Sequence, residues 1–330
     1  MSDENIKNTI QELAGIVNKY LDEVLQIKDP KRFYEAVRWL PMAGGKRLRP
    51  VIAMVVAKMF GADIKDIIPF ALALELTHNF TLVHDDIIDE DEFRRGVPTV
   101  HTAFDIPTAI IAGDTLFAMA YRELSKLKVK GDILREILRD FSQMVIDLAE
   151  GEYEDVEFEK RDDVTLDEYM EMIRKKTARI IQTACYGASL ISGQSTEIAE
   201  MMGEYGLNIG LAFQIQDDIL GLIGDPKVTG KPVGSDIRKG KKTILVIHAL
   251  NTLDSNRREE LLTILKRPEK TEDDVKKAIN LIISAGSVEY AKKRAREYSK
   301  RAVDILGRLP DNEYKDVLKF LANYVVERIK

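Results

Sequence analysis

Two clusters of aspartate residues are the first feature of this chain that could carry chemistry. Asp85, Asp86 and Asp89 follow one apolar segment, and Asp217 and Asp218 follow another. On a helix, Asp85 and Asp89 would lie one turn apart, with Cβ atoms ~5–6 Å from each other. Two carboxylates at that spacing repel unless a divalent cation lies between them, and ligands that are all oxygen indicate Mg²⁺. Each cluster alone could be an acidic helix end, but two clusters favour facing helices that hold metal ions.

Basic residues occur in three places that suit phosphate groups. The segment GGKRLRP, residues 44–50, places three cations within four residues at the predicted entrance to a helix. Arginine forms bidentate bonds to phosphate, and a helix N-terminus adds its own positive end. Arg94 and Arg95 follow the first aspartate cluster, and residues 224–243 form a loop rich in glycine, lysine and arginine. We expect this loop to close as a lid over an anion, so the pattern predicts a diphosphate substrate.

The elements that must position these residues are predicted to be helices. Apolar residues recur at spacings of three and four, as in residues 134–141, and helix formers dominate between the breakers. The β-branched runs 106–111 and 243–247 are short, and we interpret them as helix as well. The acidic segment 150–163 is interpreted as a solvated helix end. We expect an all-α fold in one domain over residues 1–330, because no low-complexity linker divides the chain.

The composition limits the classes of function. Of the 330 residues, 45% are hydrophobic and 32% are charged, which is typical of a globular protein. The net charge of −6 argues against a nucleic-acid binder, and the absence of a long apolar run argues against a membrane span. Cys185 is the only cysteine, so an intrachain disulfide and a cysteine-based zinc site are excluded. We expect a cytoplasmic protein, since the N-terminus is polar and acidic rather than basic and apolar.

Taken in order, the motifs resemble those of the trans-isoprenyl diphosphate synthases. They are GGKRLRP, DDIIDEDEFRRG, a Lys-Thr pair, and FQIQDDILG followed by GDPKVTGKPVGSD, and they lie between about residues 40 and 245. The resemblance implies an isoprenoid synthase helical bundle with a central apolar cavity. It also implies a homodimer that condenses isopentenyl diphosphate with an allylic diphosphate, namely dimethylallyl, geranyl or farnesyl diphosphate. Nothing in the resemblance implies a nucleic-acid partner.

The resemblance also implies roles for individual residues. The ligands of three Mg²⁺ ions would be Asp85, Asp89 and Asp217. The residues that bind isopentenyl diphosphate would be Lys46, Arg49, His78 and Arg95. The residues around the allylic diphosphate would be Arg94, Lys176, Thr177, Gln214, Lys231 and Lys241. The second aspartate motif departs from the family at Gly221, where aspartate is usual, and this departure concerns only an auxiliary contact.

Product length is predicted from the helix that ends at Asp85, because the growing tail should run alongside it. Phe80 lies ~7.5 Å before Asp85 along the axis, and the resemblance marks this position, when aromatic, as the floor of shorter-chain synthases. An ideal helical wheel instead places Thr81 nearer the Asp85 face, ~40° away, against ~140° for Phe80. A large Phe80 beside a small Thr81 favours geranylgeranyl diphosphate as product. Farnesyl diphosphate or a longer polyprenyl diphosphate is the alternative.

Three other functions fit parts of the sequence. A phosphohydrolase of the HD type would use the adjacent His84 and Asp85, but the chain has only four histidines to serve as ligands. A terpene cyclase on the same fold would use one aspartate motif and would have no use for an isopentenyl diphosphate site. A non-catalytic partner subunit would be expected to have lost Asp85, Asp89 or Lys46, and all three are present.

Overall fold

The computed structural model describes residues 1–224 and 233–327, and α-helices account for most of both ranges. The helices are α1 (Asp3–Val24), α2 (Lys31–Met42), α3 (Leu48–Met59), α4 (Ile64–Ile88), α5 (Val100–Ala103), α6 (Ile106–Leu124), α7 (Gly131–Glu159), α8 (Leu166–Ile173), α9 (Arg179–Ile191), α10 (Thr196–Ile223), α11 (Ser235–Lys239), α12 (Ile244–Thr252), α13 (Ser255–Lys266), α14 (Glu272–Ser284), α15 (Ser287–Leu306) and α16 (Glu313–Glu327). The all-α prediction is confirmed. The β-branched runs 106–111 and 243–247 belong to α6 and α12, as expected.

Two short elements interrupt this pattern and carry predicted site residues. Strands β1 (Phe93–Arg94) and β2 (Val97–Pro98) pair as an antiparallel hairpin, with Arg94 opposite Val97. The segment Arg174–Ala178, which we call the π turn, is π-helical and joins α8 to α9 without a break. A π turn accommodates one more residue than a turn of α-helix and is often found at functional sites.

The chain divides into two compact units, each built from several chain segments. The first unit consists of Met1–Ser142, Thr183–Gly203 and Pro310–Phe320. The second unit consists of Gln143–Gln182, Glu204–Leu309 and Leu321–Lys330. The organisation of residues 1–330 as one domain remains a prediction.

In the first unit, α4 is enclosed by its neighbours α3 and α6. Phe70, Leu74 and Leu76 on α4 are completely buried, although Leu76 lies on the opposite side of the helix from the other two. A helix that is apolar on all sides must be buried on all sides, and the sequence of α4 therefore places it at the centre of its unit. Its polar last turn carries the first aspartate cluster out of this core.

The second unit has its own apolar core, which includes side chains from α8, α10, α12, α14 and α15. Helix α8 begins with a capping box, in which the side chain of Thr165 accepts from the backbone N–H of Glu168 and the Glu168 carboxylate accepts from that of Thr165. This cap fixes where α8 begins, and hence the approach to the π turn two turns later. No helix in residues 1–224 or 233–327 is long and apolar enough to cross a membrane.

Candidate active site

The last turn of α4 presents the first aspartate cluster. Asp89 caps the helix, and its backbone N–H donates to the carbonyl oxygen of Asp85 at 2.8 Å. The side chain of Asp85 is 20% exposed, whereas that of Asp86 is completely buried. Burial raises the pKa of Asp86 to about 6, although the charge of Arg94 opposes this shift. The cluster therefore divides into a partly exposed pair, Asp85 and Asp89, and one buried carboxyl.

Arg94 is aimed at these aspartates by the β1–β2 hairpin. The two turn residues, Arg95 and Gly96, both have positive φ angles of 54° and 78°, as hairpin turns of the primed type require. Arg94 Nε donates to Asp86 Oδ1, and Arg94 Nη2 lies 3.5 Å from Asp85 Oδ2. The guanidinium thus lies beside the aspartate cluster, where the sequence predicted a contact with the allylic diphosphate.

A buried network connects the hairpin to the GGKRLRP segment. Arg47 donates to Glu75 Oε1 at 2.6 Å, and both side chains are 2% exposed. Asn79 donates to the same Glu75 oxygen at 2.9 Å and accepts from Arg95 Nη1 at 3.2 Å. Arg95 Nη1 also donates to the carbonyl oxygen of Gly44 at 2.6 Å. Arg47 and Arg95 therefore hold the two basic loops in place. The prediction that all three cations of GGKRLRP suit phosphate is wrong for Arg47, which is buried against Glu75, and the sequence had assigned no role to Glu75 or Asn79.

The predicted isopentenyl diphosphate residues lie around the N-terminus of α3. Lys46 is exposed on the preceding loop, and Arg49 lies in the first turn of the helix, next to Pro50. His78 belongs to α4, where burial and then the charges of Arg49 and Arg95 lower the pKa of its imidazole well below 6.5. His78 is consequently neutral at physiological pH. A neutral imidazole between cations can donate one hydrogen bond to an anion without adding to the local repulsion.

The residues of the first cluster fit Mg²⁺. Within residues 1–224 and 233–327, no group of three or more histidine, cysteine, aspartate or glutamate side chains is close enough to enclose a metal ion. Mg²⁺ does not need such a cage, because it commonly binds one or two carboxylates and completes its octahedron with water and substrate phosphates. Asp85 and Asp89 offer only oxygen ligands, and Asp86 Oδ2 is buried without a hydrogen-bond partner in the described part of the chain.

In the second unit, the π turn presents the Lys-Thr pair. Lys176 Nζ donates to Asp155 Oδ2 at 2.6 Å and lies 2.8 Å from Glu152 Oε2. The Thr177 hydroxyl donates to the Gln214 amide oxygen at 2.7 Å, and the Gln214 amide nitrogen donates to Asp218 Oδ1 at 2.8 Å. Lys176, Thr177 and Gln214 are therefore close together, as the sequence predicted.

Asp155 links this group to Lys241. Asp155 Oδ2 accepts from Lys241 Nζ at 2.9 Å as well as from Lys176. Burial disfavours the charged carboxylate, but the two lysines outweigh it and hold the pKa of Asp155 at about 2. Our interpretation of segment 150–163 as a solvated helix end is wrong for Asp155, whose side chain is only 12% exposed. Lys231, the other predicted lid lysine, lies outside the described residues.

The second aspartate motif ends α10. Asp217 is partly exposed, whereas Asp218 is buried and accepts from the Tyr169 hydroxyl at 2.6 Å. Burial raises the pKa of Asp218 to about 7, and the charge of Asp236 adds to the shift. Gly221 is the position at which this chain differs from the family motif. A Cβ there would lie 2.4 Å from Asp236 Oδ2, so the Asp236 carboxylate occupies the space that a side chain at position 221 would need.

Sequence reasoning missed several residues that shape the site, namely Arg47, Glu75, Asn79, Asp155, Tyr169 and Asp236. A signal for Asp155 was present, because the acidic residues after position 149 are opposite in charge to the basic run Arg174-Lys175-Lys176 and could pair with it. Lys175 indeed pairs with Glu154 at 2.5 Å and with Glu150 at 3.1 Å. Tyr169 and Asp236 carried no comparable signal, since both lie far along the chain from Asp218, the carboxyl that they face.

Comparison with known proteins decides the family. Residues 30–282, most of the chain, match the polyprenyl synthetase family. The chain belongs to this family. As a polyprenyl synthetase, it is a trans-isoprenyl diphosphate synthase rather than a terpene cyclase or a phosphohydrolase.

Individual relatives of this polyprenyl synthetase are similar over nearly their full length. Geranylfarnesyl diphosphate synthase of Aeropyrum pernix is 44% identical over 96% of this chain and 100% of its own. The crystal structure of geranylgeranyl pyrophosphate synthetase from Pyrococcus horikoshii Ot3 is 39% identical, covers 98% of this chain and 99% of its own, and has a TM-score of 0.93. A geranylgeranyl pyrophosphate synthase from Corynebacterium glutamicum, solved with isoprenyl diphosphate and magnesium, is 26% identical, with coverages of 96% and 99% and a TM-score of 0.89. The isoprenoid synthase fold is thereby confirmed.

Proposed function

We propose that this short-chain isoprenyl diphosphate synthase makes geranylgeranyl diphosphate. The observation that carries the proposal is a wall of aromatic side chains below the first aspartate cluster. Phe80 on α4 packs against the His84 ring at 5.4 Å and against Phe117 on α6 at 5.2 Å, measured between ring centroids. The ring of Tyr121 continues the wall, with its centroid 5.1 Å from that of Phe117. The ring of Phe141 on α7 ends it, 5.7 Å from that of Tyr121.

This wall supports a floor of intermediate depth for the space that would hold the hydrocarbon tail of the product. Phe80 begins it ~7.5 Å along α4 from Asp85, and the contacts with His84 and Phe117 restrain the ring. Thr81, one residue further on, is small, and its hydroxyl turns back to donate to the carbonyl oxygen of His78 at 2.8 Å. A tail that starts at the aspartate cluster and passes Thr81 would therefore stop at the aromatic layer beyond it. This position of the floor favours a C20 product over a C15 product.

Geranylfarnesyl diphosphate is the second candidate product. It is favoured by the Aeropyrum pernix relative, which bears that name and is 44% identical to this chain. Both candidates use the same chemistry and differ by one isoprene unit. The depth of the cavity beyond Phe80 would decide between them, and farnesyl diphosphate would require a shallower floor.

The proposed reaction begins at the allylic diphosphate. The family uses Mg²⁺, which when bound would neutralise charge on the departing diphosphate. We assign its ligands to Asp85, Asp89 and Asp217, with three ions in all. Lys176 and Lys241 would stabilise the negative charge that grows as the allylic C–O bond breaks. The Thr177 hydroxyl and the Gln214 amide dipole would face the resulting carbocation.

The second substrate supplies the new carbon–carbon bond. The double bond of isopentenyl diphosphate attacks the allylic cation, and the adduct then loses a proton to the departed diphosphate, so charge and atoms balance. Lys46, Arg49, His78 and Arg95 would hold the diphosphate of isopentenyl diphosphate, which does not ionise. These residues surround the N-terminus of α3, whose positive end favours an anion.

The homodimer and the cytoplasmic location also remain proposals. The homodimer is supported by an exposed apolar stripe on α6, to which Ile106, Ile110, Ile111 and Ala118 contribute. Three of these side chains are isoleucines with 43% to 54% of their surface exposed, which is unusual for a helix that faces water. The cytoplasmic location is supported by cysteine usage, since Cys185 is buried and no other cysteine exists.

The test is an assay with labelled isopentenyl diphosphate, one allylic primer at a time and Mg²⁺, followed by chromatography of the dephosphorylated products. We expect a C20 alcohol as the main product and loss of all activity with EDTA, which Mg²⁺ should restore. A main product of C25 would establish the second candidate. Activity that persists after complete removal of metal would contradict the proposed roles of Asp85, Asp89 and Asp217.

A further inference from the structure

Two glycines bring the backbones of α7 and α10 against the π turn. A Cβ at Gly151 on α7 would lie 2.5 Å from the backbone nitrogen of Lys176 and 2.9 Å from its Cα. A Cβ at Gly210 on α10 would lie 2.5 Å from the Cα of Ala178 and 2.8 Å from its Cβ. These neighbours cannot rotate away as the end of a long side chain could, so both positions require glycine in the observed packing.

The same two helices hold the functional side chains of the π turn. Asp155 lies one helical turn after Gly151 and accepts from Lys176 at 2.6 Å. Gln214 lies one turn after Gly210 and accepts from the Thr177 hydroxyl at 2.7 Å. Residues four apart on a helix share a face, so each helix meets the π turn twice, first with a glycine and then with a polar side chain.

The arrangement explains why helix-weakening residues occur inside long helices. Glycine is a poor helix former, yet Gly151 and Gly210 both lie within α7 and α10 rather than at their ends. A π turn is itself a rare conformation that must be held by its surroundings. With any larger residue at either position, that helix would have to move outward, and the hydrogen bond one turn later would lengthen with it.

We propose that Gly151 and Gly210 are positioning residues for the allylic half of the reaction. They allow α7 and α10 to approach the π turn closely enough for Asp155 to orient Lys176 and for Gln214 to orient Thr177. The inference rests on the proposed function in so far as Lys176 and Thr177 act on the allylic diphosphate. It adds two residues that the motifs do not assign, and it predicts an effect confined to one substrate.

The test compares Gly151→Ala and Gly210→Ala with the parent and with Gly15→Ala. Gly15 lies inside α1, where a Cβ would meet no atom within 4 Å, so this variant controls for a glycine-to-alanine change in a helix. Misplacement by about 1 Å can lower a rate by about 10²-fold, and we expect a loss of that order in kcat for both site variants. Gly15→Ala should retain the parental kcat.

Binding measurements separate positioning from a general loss of folding. Calorimetric titration with isopentenyl diphosphate should give the parental dissociation constant and stoichiometry in all three variants. Titration with a thiolodiphosphate analogue of the allylic substrate, in Mg²⁺, should show weaker binding in Gly151→Ala and Gly210→Ala only. Equal losses for both ligands would overturn the proposal, as would parental kcat in both site variants.

Three further variants keep the result decisive. Asp155→Asn retains the shape of the side chain and weakens the bond to Lys176, so it should reproduce the pattern of Gly151→Ala even if the glycine variant folds poorly. Lys176→Ala and Thr177→Ala test the underlying roles. If these two retain the parental kcat while the glycine variants lose theirs, the proposed function of the π turn is wrong and the positioning role falls with it. If all of them lose kcat with isopentenyl diphosphate binding intact, both stand.

Discussion

Among single residues, the cations of the GGKRLRP segment differ in what surrounds them. Arg47 is buried against Glu75 and Asn18, so removal of its charge would leave the buried Glu75 carboxylate without its paired cation, which typically costs about 3–5 kcal/mol. Lys46 is exposed on the loop one residue earlier. Arg47 therefore stabilises the loop, whereas the exposed Lys46 is the neighbour that we propose for the diphosphate of isopentenyl diphosphate.

The first prediction separates the two diphosphate sites. Lys46→Ala should raise KM for isopentenyl diphosphate with little change in kcat, because that diphosphate keeps its charge throughout the reaction. Lys241→Ala should instead lower kcat, since its charge acts on a leaving group whose charge grows in the transition state. Steady-state kinetics with each substrate varied in turn measures both effects, and Lys65→Ala, an exposed lysine on α4, is the control. An effect of both variants on the same parameter for the same substrate would contradict the two-site assignment.

The second prediction concerns the charge of His78. Burial, reinforced by Arg49, Arg95, Arg94 and Arg47, holds the pKa of its imidazole well below the ordinary 6.5. Near pH 6.5 the unfolded chain therefore binds a proton at His78, whereas the folded chain does not. The contribution of His78 to the free energy of unfolding is consequently complete above pH 6.5 and is lost as the pH falls towards the pKa of His78 in the folded protein. The free energy of unfolding should decline on acidification with a slope of up to about 1.4 kcal/mol per pH unit from this residue.

Denaturant titrations between pH 5 and 8 check this expectation. His78→Gln retains a hydrogen-bond donor and cannot titrate, so its unfolding free energy should decline less steeply than that of the parent below pH 6.5. The ring signals of His78 should also show the neutral form throughout that range. Parallel stability profiles of parent and variant would show that His78 titrates normally in the folded protein.

Among the elements, α4 carries both the first aspartate cluster and Phe80, the first ring of the aromatic wall. The same helix carries Asp85 at its end and Phe80 five residues earlier, and α6 supplies Phe117 to the wall. Helix α6 approaches α4 closely, because a Cβ at Gly113 would lie 2.3 Å from His84 Nε2. If the growing tail runs along α4 as proposed, side chains on two closely packed helices would set its limit, and single substitutions should change the product length in steps.

The third prediction follows from this register. Phe80→Ala removes the first ring of the wall and should lengthen the main product by one or more isoprene units. Thr81→Phe adds a ring nearer the Asp85 face and should shorten it. Chromatography of the products measures both changes, and Phe33→Ala on α2, which lies outside the wall, should leave the product distribution as in the parent. An unchanged distribution in both wall variants would place the floor elsewhere.

The elements also show how far sequence reasoning could go. The two β-branched runs were short enough to be interpreted as helix, and α6 and α12 confirm this, whereas the grouping of Lys176 and Thr177 with Gln214 was implied only by the resemblance to the synthase motifs. The π turn could not be predicted from the sequence, because local helix propensity does not distinguish it from a turn of α-helix. It becomes visible only in the packing of the segment against Gly151 and Gly210. The place of Asp155 was missed for a similar reason, since its partner Lys176 lies 21 residues away.

For the whole molecule, the exposed stripe of α6 is the feature that bears on assembly. Ile110 and Ile111 are 43% and 54% exposed, and Asp114 and Ala118 continue the same face towards the end of the helix. Symmetric dimers use one surface patch twice, so a single apolar helix face can supply both halves of an interface.

The fourth prediction is that the protein in solution has twice the chain mass of 37.4 kDa. Light scattering after size-exclusion chromatography at micromolar concentration measures this mass. Ile111→Asp buries a charge in the proposed interface and should shift the mass to that of one chain, whereas Ile27→Asp, at another exposed isoleucine, should not. A parent protein that elutes as one chain would contradict the homodimer.

The contacts of Lys176 and Lys241 have a consequence for repeated turnover. The two ammonium groups lie against two carboxylates, those of Asp155 and Glu152, and the four charges sum to zero. If the lysines bind diphosphate as proposed, each ammonium group would direct its remaining N–H bonds to phosphate oxygens while Asp155 continues to hold it in place. The protein thus supplies a carboxylate partner to both lysines, and each keeps that partner when diphosphate leaves. An enzyme that lengthens one chain through several cycles would begin each cycle from the same resting arrangement.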